Sequence, residues 1–229
     1  MKNVIVQNIP RADSAMIHAL GELGVATVHE AQKRTGLLHS SIRPIYPTAR
    51  AAGSAVTVSC QPGDNLMIHA AMAVVKAGDI LVVTTTSPSS DGMFGDLLAE
   101  SCRAHGVVGL IIDAGVRDVS ELTALDFPVW SKAISAQGTV KATPGSVNIN
   151  VVCAGALVRP GDVIVADQDG VVVIARETAS EVAQLAEVRR LKEERSRERL
   201  RSGELGLDMY GLRKLLADLG VEWKEDSNV

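Results

Sequence analysis

Apolar and polar positions alternate along this chain in a way that predicts its elements. From Ser14 to Leu23 the apolar residues Met16, Ile17, Leu20 and Leu23 recur at helical spacing, with Asp13 or Ser14 as N-cap and Gly24 as the stop. Thr27-Val-His-Glu-Ala-Gln follows as a second helical start, in which Thr27 and Glu30 match a capping box, and Gly36 closes it. Residues 42–51 hold two prolines and read as loop or edge strand, whereas Gly53 to Cys60 alternates like a half-buried strand. Pro62-Gly63-Asp64 marks a turn, Asn65 to Lys76 a buried Ala- and Met-rich helix, and Gly78 to Thr86 a central strand.

A polar loop, Ser87 to Gly95, then opens a helix over Asp96–Ala104, followed by a strand at Gly109–Asp113. Next come a short helix at Ser120–Leu125, a strand at Phe127–Trp130 and a polar connection from Gly138 to Gly145. Val147 to Val152 alternates again, and Pro160 to Ala175 reads as a β-hairpin with Asp169-Gly170 as its turn signal. Helix–strand alternation in the middle with hairpins later predicts an α/β sandwich with mixed sheets. The composition changes after Ala175. Glu177 to Arg201 is one helical pattern, apolar at Val182, Leu185, Val188 and Leu191 and almost wholly charged beyond, and a small amphipathic helix follows at Tyr210–Leu219. The expected organisation is therefore a sandwich over residues 1–175 and a C-terminal helical arm and tail over 176–229.

Composition narrows the function classes. Of 229 residues 46% are hydrophobic and only 3% aromatic, and the net charge is −4. A basic field for nucleic acid and stacking platforms for bases are both missing. Cys60, Cys102 and Cys153 stand without CxxC spacing and read as reduced core thiols. Val4-Ile5-Val6 is too short for a signal-peptide core, and no apolar run approaches the ~20 residues of a membrane span, so a soluble cytoplasmic protein is expected.

The polar loop and the turn after the next strand hold the candidate chemistry. Amides in the first turn of a helix lack intrahelical partners and carry the positive end of its dipole, so Gly95, Asp96, Leu97 and Leu98 form an anion-friendly start. Asp96 also serves as an ordinary helix-start residue. Twenty residues separate Asp96 from Arg117-Asp118, about what a short helix and its return strand use, so both polar ends return to one sheet edge. Arg117 can grip a developing oxyanion and Asp118 a divalent metal; the plainer alternative is a surface ion pair of little energetic weight. One Asp is too few for a closed cage, which favours Mg²⁺ or Mn²⁺. The five histidines lack zinc spacing; His29, in its polar turn, is the one to watch.

Gly95-Asp-Leu-Leu98, twenty residues and Arg117-Asp118 together resemble the signature of the 4-hydroxy-4-methyl-2-oxoglutarate/4-carboxy-4-hydroxy-2-oxoadipate aldolases, which are class II pyruvate aldolases. Thr27 to Gln32, Gly78 to Val83 and Asp162 to Gly170 resemble the same family, and the likeness covers roughly residues 15–200. The resemblance implies an α-β-β-α sandwich shared with regulators of ribonuclease E, assembled as homotrimers or homohexamers. It implies that the amides of Gly95–Leu98 bind the pyruvoyl carboxylate, Arg117 the C2 oxygen and Asp118 the Mg²⁺ or Mn²⁺, while Asp96 orients water in the metal's shell. A glutamate from an adjacent subunit's arm completes the site; Glu193 matches best by position and Glu194 stays open. The implied reaction is retro-aldol cleavage of a 4-hydroxy-2-oxo acid to pyruvate, with oxaloacetate decarboxylation as a side activity, in the degradation of aromatic compounds. A non-enzymatic ribonuclease regulator of the same fold is the alternative; those proteins generally end soon after residue 175 and lack the complete Arg-Asp pair. A methyltransferase, a label sometimes attached to this fold, lacks its glycine-rich fingerprint here.

Overall fold

A computed structural model describes residues 3–224 of the chain. By its internal contacts the chain divides into two units, residues 1–187 and 188–229, so the division falls inside a helix, beyond the composition change at residue 175.

The first unit begins with helices α1 (Ser14–Leu23) and α2 (Val25–Ala31). Edge strand β1 (Arg43–Pro44) and the ten-residue β2 (Ala51–Cys60) follow. Then come α3 (Leu66–Ala71), β3 (Asp79–Thr85), β4 (Gly92–Phe94), α4 (Asp96–Ala104), β5 (Gly109–Val116), α5 (Val119–Ala124) and β6 (Val129–Ile134). The last strands are β7 (Ser146–Val147), β8 (Val151–Cys153), β9 (Ala156–Val158), β10 (Val163–Asp167) and β11 (Gly170–Ile174). Strands β2, β3, β5 and β6 are parallel neighbours, with β10 and β11 antiparallel beyond β2. The sheet curls nearly closed. Trp130 of β6 donates its indole N–H to the Asp167 carbonyl at 2.8 Å, and Arg43 of β1 reaches the Gln168 carbonyl at 3.0 Å.

Three apolar layers explain this shape. Val56, Val58, Leu81, Val83, Leu110 and Ile112 pack on one face of the parallel strands against α3, α4 and α5. Ile80, Val82, Ile111 and Trp130 on the other face meet Ile164, Ala166, Val171 and Val173 of the folded-over hairpin. The outer face of that hairpin, Val163, Val165, Val172 and Ile174, is covered by α1, α2 and the root of α6 (Ala179–Arg201). Helices, sheet, sheet, helices: this is the expected α-β-β-α sandwich.

Several local expectations change. β2 is buried on both faces, because a strand between a helical layer and a second sheet layer has no solvent side. α2 starts at Val25, not at Thr27; its start is capped from afar, by Asp167 accepting from the Val25 amide at 2.8 Å. α3 is shorter than expected, ending at Ala71. The alternation over Val147–Val152 is broken at Asn148, whose φ of 58° separates β7 from β8.

In the second unit, α6 runs on to Arg201; α7 (Gly206–Met209) is an additional short helix, and α8 (Leu212–Asp218) after it falls within the expected tail helix Tyr210–Leu219. Among its described residues none is buried. No helix among the described residues is long and apolar enough to cross a membrane.

Candidate active site

The parallel strands all deliver their carboxyl ends to one edge, where ligands collect in open α/β sheets. The turn Pro62–Asn65 leaves β2, residues 86–91 leave β3, Arg117-Asp118 leaves β5 and the connection 135–145 leaves β6. Asn65, Arg117, Thr139 and Lys141 from these connections line a cavity of about 170 Å³ together with, among others, Gly95, Asp96, Leu97 and Leu98. The stretch singled out in the sequence thus converges in space.

Part of the loop is structured. Gly92–Phe94 forms β4, which pairs with the end of β5, and the Arg117 amide donates to the Phe94 carbonyl at 2.9 Å. Gly95 is the N-cap of α4. A Cβ on Gly95 would sit 2.2 Å from Oδ2 of Asp118, so only glycine lets that carboxylate approach the helix start. Oδ2 accepts from the Asp96 amide at 3.3 Å and faces Arg117 Nε at 3.4 Å. Oδ1 of Asp96 accepts from the Leu97 amide at 2.7 Å.

Two of the chain's own carboxylates thus accept from amides at the helix start, where the dipole favours negative charge. Asp118 has φ 56° and ψ 43°, a left-handed conformation that Asp tolerates better than most residues. That backbone turn starts α5 and swings the carboxylate toward α4. Its side chain is 32% exposed and that of Arg117 46%, so both remain accessible to a ligand.

Among the described residues no group of three or more His, Cys, Asp or Glu is placed to hold a metal. The donors at hand are Asp118 and Asp96, joined through the Asp96 amide. Such a sparse oxygen set fits Mg²⁺ or Mn²⁺, which retain several waters, and does not fit zinc.

The opposite wall carries residues that the sequence reading did not single out. His69 of α3, Asn65, Thr139 and Lys141 line the same cavity. Burial, and then the charge of Lys141, push the His69 imidazole below its ordinary value, which leaves it neutral near pH 7. Lys141 and Arg117 thus supply the positive charge around the cavity. Only topology brings His69 and Lys141 here; neither lies in a local motif.

Glu193 and Glu194 lie on α6 in the second unit, where Glu193 pairs with Arg189 at 2.7 Å and Glu194 with Arg197. His29 sits on α2, in the helical layer that covers the hairpin, while α4 covers the other side of the parallel strands. Cys60, Cys102 and Cys153 are buried free thiols, each pushed up to about 12 by burial, in keeping with core packing. A wider cleft of about 450 Å³ lies at the amino ends of β2 and β3, but there Arg11 is committed to Asp79 by two bonds of 2.7 Å.

Comparisons with known proteins bear on the family and the fold. Residues 25–173 match the model of the RraA-like family, described as Aldolase/RraA. A Halalkalibacterium halodurans protein bearing the provisional name 4-hydroxy-4-methyl-2-oxoglutarate aldolase is 32% identical over 162 residues, which cover 71% of this chain and 77% of that one. Streptomyces coelicolor RraAS2, described as an unusual member of the RNase ES inhibitor RraA family, superposes with a TM-score of 0.74 at 28% identity, over 82% of this chain and all of its own. An uncharacterized Pseudomonas syringae protein superposes with a TM-score of 0.76 at 25% identity, over 86% and 93%.

Proposed function

Because the chain belongs to the RraA-like family, which holds both aldolases and ribonuclease inhibitors, we propose that it is a class II pyruvate aldolase. Its reaction is retro-aldol cleavage of 4-carboxy-4-hydroxy-2-oxoadipate or 4-hydroxy-4-methyl-2-oxoglutarate to pyruvate and a second 2-oxo acid. The observation that carries this reading is the Asp118 carboxylate set against the start of α4 with Arg117 beside it. A regulator that only binds protein has no need of a carboxylate held in left-handed backbone over a glycine.

Breaking the C3–C4 bond leaves its electron pair on C3, as an enolate whose charge resides on the C2 oxygen. Arg117 donates to that oxygen as the charge grows, and the amides at Gly95–Leu98 hold the pyruvoyl carboxylate on the helix start. Mg²⁺ or Mn²⁺, which Asp118 would hold, would supply Lewis acidity to the developing enolate. Asp96, with Glu193 or Glu194 of the partner subunit, lines the exit of the 4-hydroxyl proton, and the enolate takes up a proton at C3 to give pyruvate. Loss of CO₂ from oxaloacetate produces the same enolate and is the expected side activity. A homotrimer or homohexamer with the site shared between subunits, in the degradation of aromatic compounds, completes the proposal.

The test is to incubate the purified protein with oxaloacetate and with 4-hydroxy-4-methyl-2-oxoglutarate, under EDTA, Mg²⁺ or Mn²⁺, and to follow pyruvate. Metal-dependent pyruvate release is expected. Inertness toward both acids, together with inhibition of a ribonuclease E-type enzyme, would favour the regulator reading that RraAS2 represents.

A further inference from the structure

Asp64 was legible only as the end of a turn. In the structure it is 2% exposed and joins two walls of the cavity. Its Oδ1 accepts from the Leu66 amide at 2.9 Å, at the start of the helix that carries His69. Its Oδ2 accepts from the amides of Ala142 at 2.9 Å and Thr143 at 2.6 Å, immediately after Lys141. The backbone around it adds two bonds to the same connection, Asn65 amide to Val140 carbonyl at 3.0 Å and Val140 amide to Gly63 carbonyl at 2.9 Å. Asn65 then ties this turn to the other wall, its Nδ2 donating to the Met93 carbonyl at 3.0 Å, two residues before Gly95.

A turn at the end of β2 thus holds the Lys141 connection against the start of α4. Packing alone does not do this, because residues 138–144 carry little apolar surface and only Val140 among them is a large aliphatic. A buried carboxylate that accepts three amides is strong and directional, and it leaves little slack in what it holds.

We propose that Asp64 is a positioning residue that fixes Lys141 across the cavity from Gly95–Leu98, and so sets affinity for the second carboxylate of the substrate. This rests on the aldolase reading for the identity of the ligand: with the pyruvoyl end on α4 and Arg117, Lys141 is the remaining cation lining the cavity among the described residues. Asp64 itself touches no substrate; it acts through the connection that it anchors.

Two ligands separate this role from a general loss of structure. Pyruvate presents only the pyruvoyl end, whereas 2-oxoglutarate adds the second carboxylate and lacks the 4-hydroxyl needed for cleavage. Calorimetry on the full-length protein with Mg²⁺ gives Kd for each. Asp64→Asn, in which an amide NH₂ meets amide donors, is expected to weaken 2-oxoglutarate about 10-fold and to leave pyruvate within about 2-fold. Lys141→Met should do the same, and the double variant should be no worse than either single one. Thr143→Val, which removes the hydroxyl's bond to Asp64 and leaves α3 intact, should weaken 2-oxoglutarate in the same direction by about 3-fold, and it serves in place of Asp64→Asn if that variant does not fold. Equal weakening of both ligands, or additive losses in the double variant, overturns the positioning role. The aldolase reading fails separately: wild-type protein that binds 2-oxoglutarate but releases no pyruvate from oxaloacetate contradicts that reading and leaves the clamp standing.

Discussion

The sandwich unit and the C-terminal unit use apolar residues in opposite ways. In the sandwich, Val, Ile and Leu are divided among three buried layers, and the largest side chains, Trp130, Phe94 and Phe127, are almost wholly enclosed. In the second unit Val188, Leu205, Tyr210, Leu215, Leu219 and Trp223 are all at least 51% exposed. A segment with no enclosed side chain gains little hydrophobic stabilisation of its own, and α7 and α8 are shorter than helices that persist unaided in water. The sandwich encloses its apolar residues; the arm leaves its own exposed. The contrast extends to chemistry, because Asp96, Arg117, Asp118 and Lys141 belong to the sandwich whereas Glu193 and Glu194 belong to the arm.

The sharpest way to break that contrast is truncation after Glu187. The sandwich should keep its fold, within about 3 °C in Tm, which corresponds to roughly 1 kcal/mol for a domain of this size. Pyruvate release should fall by at least about 10³-fold and the oligomer should dissociate, by light scattering, if the arm completes a shared site. Full activity in the truncated protein would assign the whole site to the sandwich.

Arg117→Ala comes next. Removing one donor from a developing oxyanion lowers kcat about 10²–10³-fold, and the exposed side chain leaves Tm nearly unchanged. Steady-state kinetics on oxaloacetate and a thermal melt check both halves.

Gly95→Ala should act through geometry alone. The added methyl displaces the Asp118 carboxylate from the helix start, and about a 10-fold loss in kcat/KM with weaker Mn²⁺ binding is expected. Glycine is required here for close approach and not for φ, since its backbone is extended at −154°. Gly95→Ala should therefore disturb the site without straining the backbone.

The smallest effect concerns pH. Burial alone would raise the Asp64 carboxyl, but the amides of Leu66, Ala142 and Thr143 outweigh it and hold the group below its usual range. A carboxylate depressed in the folded state stabilises it above the unfolded value, and the effect disappears as pH falls through the folded value. Asp64→Asn should cost about 1–3 kcal/mol at pH 7, in denaturant melts, and the gap to wild type should shrink below about pH 4.

How far the molecule could be read in advance follows from the range of its contacts. α1, α4 and the β10–β11 hairpin declared themselves through spacing and turn residues within a dozen positions, and α4 begins and ends where its pattern predicts. β4 was hidden, because three residues in a polar loop become a strand only by pairing with the end of β5. The β8–β9 hairpin was obscured likewise: its turn is made by Ala154 at φ 44° and Gly155, with no marked turn pair.

In the site, the helix start and the Arg-Asp turn were legible through their separation along the chain. Lys141 and His69 were not, since the bonds that bring them together run from Asp64 across 78 and 79 positions. A buried Asp after a Pro-Gly turn, followed by Asn, was the available signal, and on its own it reads as an ordinary turn.

The central claim is that Asp118, held over Gly95 beside Arg117, makes this edge of the sandwich a metal-dependent lyase site. Asp118→Asn tests it most directly, because Asn accepts the same left-handed backbone and removes only the charge. Pyruvate release from oxaloacetate would be followed for wild type and Asp118→Asn, each with Mg²⁺ and after EDTA. The account predicts that EDTA silences the wild type, that the variant with Mg²⁺ is slower by about 10³-fold, and that EDTA slows the variant no further. A variant that keeps wild-type rates in Mg²⁺ would contradict it.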